Sequence, residues 1–195
     1  MRYKNNYGAR DMRSHFHQLS QIIDALQNAR KLLQYQRVNI EQVKFDRAVD
    51  QLFEQPLLIL PLAYQGHAVS IVIHGQLLAK IDRGEHGRKV GTVNIYYINN
   101  LSMLNANFYK QILYQRLSQG FIHEELLKLL QLMPLIQLPL SSQTAGNCSW
   151  ANMEASIPTA YLLLEIYQQE NLSKSTLNYL IEDALRVHDK WLDRD

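Results

Sequence analysis

The chain has 195 residues, a length that fits one domain with room for a small helical annex. Lys and Arg number 20 against 18 Asp and Glu, a net charge of +2, so there is no basic stripe of the kind that marks nucleic-acid binders. Hydrophobic residues make up 47% and charged residues 19%, which excludes a disordered tail, and no apolar run is long enough to span a bilayer.

The first third reads as helix. Met12, Phe16, Leu19, Ile22, Ile23, Leu26, Ala29 and Leu33 recur at spacings of three and four. A shorter helix is expected over 41–53, ended by Pro56. From Leu57 to Ile98 the pattern turns extended, with strands at 68–73, 77–81 and 90–98 and a polar, Gly-containing loop over 83–88. The second half returns to helix over 102–117, 122–133, 148–169 and 173–192. Pro158 falls inside the third of these, and Ser156 can cap a restart, so a kink or break is expected there. The fold class is α+β: a small antiparallel sheet of about 3–4 strands packed by helices. The expected organisation is a single domain, with an N-terminal helical part over 1–55, a core over 56–170 and a C-terminal helix over 171–195.

Cys148 is the only cysteine, so it makes neither an internal disulfide nor a thiolate zinc site by itself. The first six residues carry no apolar h-region, so no Sec signal is expected. The loop Gln143-Thr144-Ala145-Gly146-Asn147 runs into the apolar helical pattern that Cys148 opens. Asn147 is a good N-cap, and the first turn of a helix favours a thiolate through its unpaired N–H groups and dipole. The Gln143 amide and the Cys148 N–H together make a two-donor oxyanion hole.

Seven histidines compete as base. His15 and His17 point to different helix faces, His86 sits in the polar loop, and His123 and His188 read as solvated. His67 and His74 remain, on the hairpin. A two-residue turn at His74-Gly75 pairs 73 with 76, which sets His67 opposite Asp82, where a carboxylate fixes the imidazole tautomer. The rim loop after Asp82 adds Arg83, Arg88 and Lys89 as charges that a partner could meet.

The order His67, Asp82, Gln143, Cys148 resembles the clan CE cysteine peptidases, a group that includes SUMO-specific proteases and YopJ-type acyltransferases, rather than papain, whose cysteine precedes its histidine. More specifically, Gly66-His67-Ala68-Val69 with Asp82-Arg83-Gly84, and Gln143-x-x-Gly146-Asn147-Cys148-Ser149-Trp150-Ala151-Asn152-x-Glu154-Ala155, resemble the cysteine-protease-like domain of Legionella-type, AnkH-like secreted effectors over residues 57–169. In that family the residue before Arg-Gly is often Asn; here it is Asp82.

The resemblance implies a papain-like/clan CE fold. It also implies a cofactor-free hydrolase of peptide or isopeptide bonds, with Cys148, His67, Asp82 and Gln143 as its catalytic set. By the same resemblance, such a protein leaves the bacterium by a non-Sec, type IV route, reaches the host cytoplasm and meets a protein substrate or host protein, not nucleic acid or membrane. A non-catalytic host-protein binding module and a YopJ-like acyltransferase are the alternatives.

Overall fold

The computed structural model describes residues 13–36, 47, 49–52, 54–143 and 148–192. A five-stranded antiparallel sheet, in the order β1-β2-β3-β4-β5, is its frame. The strands are β1 (Leu57–Tyr64), β2 (His67–His74), β3 (Leu77–Ile81), β4 (Val93–Ile98) and β5 (Leu132–Leu138). The helices are α1 (Phe16–Gln36), α2 (Glu85–Val90), α3 (Ala106–Tyr114), α4 (Leu126–Leu129), α5 (Cys148–Tyr167) and α6 (Lys174–Leu192). A π-helical turn, Phe121–Glu125, leads into α4.

Alternation along the strands sorts the apolar residues onto two faces. Leu57, Ile59, Val72, Leu77, Ala79, Ile81, Val93 and Ile95 pack against α1, α5 and α6. Leu58, Leu60, Leu62, Val69, Ile71, Ile73 and Leu78 pack with Phe108, Ile112, Ile122 and Leu126 from α3, the π-turn and α4. The result is three layers with the sheet in the middle, which is why the strands read as nearly continuous apolar runs. Helix α5 is buried around most of its circumference, from Ala155 through Leu164, as a helix between a sheet and two other helices must be.

Several expectations change. The sheet has five strands, because the helix expected over 122–133 ends at Leu129 and the chain enters β5 at Leu132. Part of the expected 83–88 loop is α2, and β4 starts at Val93 rather than at residue 90. Helix α5 runs through Pro158 without a break. Ser156 does not cap a restart; its Oγ donates to the Asn152 carbonyl at 2.8 Å and meets Ser70 Oγ at 2.9 Å.

On α1 the buried stripe is Leu19, Ile22, Ala25, Ala29 and Leu32, while Phe16, Ile23 and Leu33 are exposed. Ala25 and Leu32 complete the stripe in place of Phe16, Ile23 and Leu33. Met12 and most of the helix expected over 41–53 lie outside the described residues; within it, Val49 and Leu52 are helical and buried.

Candidate functional site

The β2–β3 turn decides the register. Its central residues are Gly75 and Gln76, with His74 paired to Leu77, so the His74-Gly75 turn is corrected by one residue. Gly75 has φ +56°, the positive value that a type II′ hairpin demands at its first central position. Moving a two-residue turn by one position shifts every pairing by two. Continued beyond its last pair, Ser70 with Ile81, the ladder sets His67 opposite Gly84 rather than Asp82. A shift of two keeps residues on the same face, so Asp82 still reaches His67 on the diagonal.

His67 Nε2–H donates to Asp82 Oδ1 at 2.9 Å. The Gly84 N–H donates to the same oxygen at 2.9 Å. Asp82 is 2% exposed and the His67 side chain 23%, so the carboxylate is internal and the imidazole reaches the surface. A carboxylate only accepts, so Nε2 carries the proton toward Asp82 and Nδ1 is left as the acceptor of a neutral ring. Gly84 makes this contact possible: a Cβ there would lie 2.2 Å from His67 Cε1. The ring lines an open cleft of about 390 Å³ together with Tyr64, Glu85, His86, Lys89 and Gln119.

Asp82 has a second histidine. His123 Nε2 lies 3.6 Å from Asp82 Oδ2 and 3.0 Å from Tyr64 Oη, and its Nδ1 is 3.2 Å from Lys80 Nζ. The His86 ring lies against the His123 ring with centroids 3.6 Å apart. His123 is therefore not solvated as expected. Burial first, then the Lys80 ammonium and His86, push it down to about 4, against the opposing pull of Asp82. Burial likewise lowers Lys80, which Asp82 partly offsets. His86 belongs to α2 rather than to a loop and is lowered, chiefly by burial. His188 is also buried rather than solvated and is lowered by burial.

Helix α5 is described from Cys148. Its orientation is set one turn later by Asn152, which is 1% exposed. Asn152 Nδ2 donates to the Ala68 carbonyl at 2.6 Å, and its Oδ1 accepts from the Arg83 N–H at 2.9 Å. One amide thus ties the cysteine helix to the residue after His67 and to the residue after Asp82.

Arg83, expected as a rim charge, is a clamp instead. Its guanidinium donates to the Ser141 and Ala151 carbonyls and pairs with Glu154 at 3.0 Å. The Arg83 carbonyl accepts from the Gln143 N–H at 2.8 Å, which anchors Gln143 beside the Asp82 turn. Residues 144–147, with the expected cap Asn147 and Gly146, and the Cys148 side chain lie outside the described residues.

The structure thus brings His67 and Asp82 into contact and ties the backbone at Gln143 and the start of the Cys148 helix to their neighbours. Sequence reasoning missed Lys80, His123 and Tyr64, and it gave Asn152 no role of its own. Lys80 carried a signal, a lone cation in the apolar run Leu77–Ile81. His123 carried none, since only the fold brings the π-turn to Asp82.

No protein-family model matches the chain, and no curated protein matches it. Among solved structures it is similar to the Legionella effector AnkH, with 36% sequence identity and a TM-score of 0.84. The match covers 96% of this chain and 38% of AnkH, so the chain spans well under half the length of that protein. The likeness is to an AnkH-like effector, in sequence as well as in fold.

Proposed function

We propose that this chain is an effector-type cysteine hydrolase with a clan CE-like protease fold, acting on a peptide or isopeptide bond of a host protein. Its catalytic unit in this reading is the single cysteine-protease-like domain with its core over 56–170. The observation that carries the reading is the His67–Asp82 hydrogen bond at 2.9 Å, made through Nε2. That bond leaves Nδ1 of His67 as the unprotonated nitrogen that serves as the base in this reading, and Asn152 holds the helix that starts at Cys148 against the residue next to that histidine.

His67 Nδ1 takes the thiol proton and the Cys148 sulfur attacks the acyl carbon, forming the C–S bond. The oxyanion is met by the Cys148 N–H and the Gln143 amide. The imidazolium, supported by Asp82, returns the proton to the leaving amine as the C–N bond breaks. Water, deprotonated by His67, then attacks the thioester and expels the thiolate with the carboxylic acid.

The likeness to AnkH supports an effector role. Export by a non-Sec, type IV route into the host cytoplasm belongs to the same proposal. No helix among the described residues is long and apolar enough to cross a membrane.

Iodoacetamide labelling at neutral pH tests the chemistry. Cys148 should alkylate faster than a free thiol such as glutathione, and His67→Ala should remove the excess. A rate no faster than glutathione's and indifferent to His67→Ala overturns the hydrolase and leaves a binding module on this scaffold.

A further inference from the structure

Asp82 is hydrogen-bonded to His67, which lines the cleft, and has a second histidine nearby that does not line it. The second, His123, is 5% exposed and is surrounded by Tyr64 of β1, Lys80 of β3, Asp82 and the His86 ring of α2, with His67 of β2 on the far side of the carboxylate. Lys80 Nζ is the only group that the hydrogen bonds put on Nδ1 of His123 among the described residues. An ammonium has three donors and no acceptor, so Nδ1 must accept and the ring proton must sit on Nε2. Nε2–H then faces Tyr64 Oη, which accepts at 3.0 Å, and Asp82 Oδ2 at 3.6 Å. Asp82 Oδ2 is buried and accepts no hydrogen bond among the described residues; the His123 Nε2–H, donated to Tyr64 Oη, faces it at 3.6 Å as an oriented dipole rather than as a hydrogen-bond donor.

We propose that Lys80 is a positioning residue that locks His123 in its neutral Nε2–H tautomer, so that His123 steadies the Asp82 carboxylate without competing with His67 for its charge. The proposal rests on the hydrolase reading for its purpose and on the geometry for its content. Without Lys80, His123 is free to take a second proton at Nδ1. As an imidazolium 3.6 Å from Oδ2 it would draw on the same carboxylate that orients His67. The ammonium at 3.2 Å occupies the lone pair that this proton would need. Burial lowers Lys80 and Asp82 opposes that shift, so the carboxylate that orients His67 is also the group that favours the charged form of Lys80.

Two-bond proton–nitrogen correlation spectra of the 15N-labelled protein test this directly, with the His123 signals identified by their loss in His123→Gln. In the unsubstituted chain His123 should show the Nε2–H pattern and resist protonation down to about pH 4. In Lys80→Met the titration of His123 should move up by about one pH unit or more and the tautomer should become mixed. Lys80→Arg, which keeps the cation, should restore the original pattern and serves if Lys80→Met does not fold.

An Nδ1–H pattern in the unsubstituted protein, or a His123 titration that Lys80→Met leaves in place, overturns the proposal. These readings do not depend on Cys148, so a slow thiol would sink the hydrolase while leaving the His123 spectra to decide their own question.

Discussion

Strand β2 begins and ends with a histidine, and its two ends differ in kind. At one end, His67 gives its Nε2–H to a buried carboxylate at 2.9 Å and its ring lines an open cleft. At the other, His74 gives its Nδ1–H to the Pro56 carbonyl at 2.6 Å and sets its ring edge-on to Tyr167. A backbone carbonyl orients an imidazole but adds no full charge to stabilise an imidazolium; a carboxylate does both. Both histidines line open hollows, of about 390 Å³ at His67 and about 360 Å³ at His74, so what separates the two ends is the charge of the partner.

The largest expected effect separates these two ends. Asp82→Ala should slow acylation of Cys148 by an electrophilic peptide probe about 100- to 1,000-fold, because the imidazole loses the acceptor that fixes its tautomer. His74→Gln should leave that rate within about twofold and cost on the order of 1 kcal/mol of stability for the altered hydrogen bond. Comparable losses of rate in both variants would break the distinction.

Next comes Gly84→Ala. The added methyl would meet His67 Cε1 at 2.2 Å and Asp82 Oδ1 at 3.1 Å, and neither can withdraw without breaking their hydrogen bond. A destabilisation of about 1–3 kcal/mol in denaturant titration is expected, with loss of Cys148 reactivity. A variant as reactive as the parent would show that the His67–Asp82 contact tolerates displacement.

Sequence made much of the sheet and the helix that follows Asn147 legible, because strand composition and helical periodicity are local. It also made the His67–Asp82 contact legible, although through a wrong register. The His-Gly dipeptide looks like a type I′ turn, and only φ at Gly75 shows a type II′ turn one residue later. The contact survived because a shift of two preserves the face. β5 was hidden because Leu132–Leu138, LMPLIQL, contains no alternation that separates it from helix and carries a proline between two apolar residues. The second histidine of the site was hidden for another reason. His123 lies 41 positions after Asp82 in a π-helical turn, and its burial depends on β1, β3 and α2 closing over it.

That burial gives the cleft end of β2 a pH dependence. His123 titrates near 6.5 when unfolded and is pushed down to about 4 when folded. Between those values the unfolded chain binds a proton that the folded chain refuses, so stability rises with pH through this window and falls as acid is added. The loss between pH 6.5 and 4 should be on the order of 2 kcal/mol from this group. His86 and His188, both lowered, add to it in the same direction. Denaturant midpoints at pH 7 and 5 should differ less in His123→Gln than in the parent; equal differences would assign the slope to other groups.

The smallest effect concerns the two basic residues that follow Asp82 on α2, and it refines the idea of a charged rim. Lys89 lines the cleft with His67, whereas Arg88 lines a separate hollow with Gln137, Pro139 and Ser142. Lys89 also pairs with Glu85 at 3.0 Å across one helical turn, an exposed contact that solvent and salt screen. Neither residue should matter to the fold. A charge at the mouth of the cleft acts on encounter with a charged partner and is screened by salt, while a charge on another face acts on that encounter only weakly. Lys89→Ala should therefore lower the rate at which an acidic peptide probe labels Cys148 about two- to threefold at low ionic strength, with the difference vanishing by about 0.5 M salt. Arg88→Ala should leave both rates unchanged. An equal response from the two variants would mean that net charge steers the probe, and a response from neither would make α2 an ordinary solvated helix.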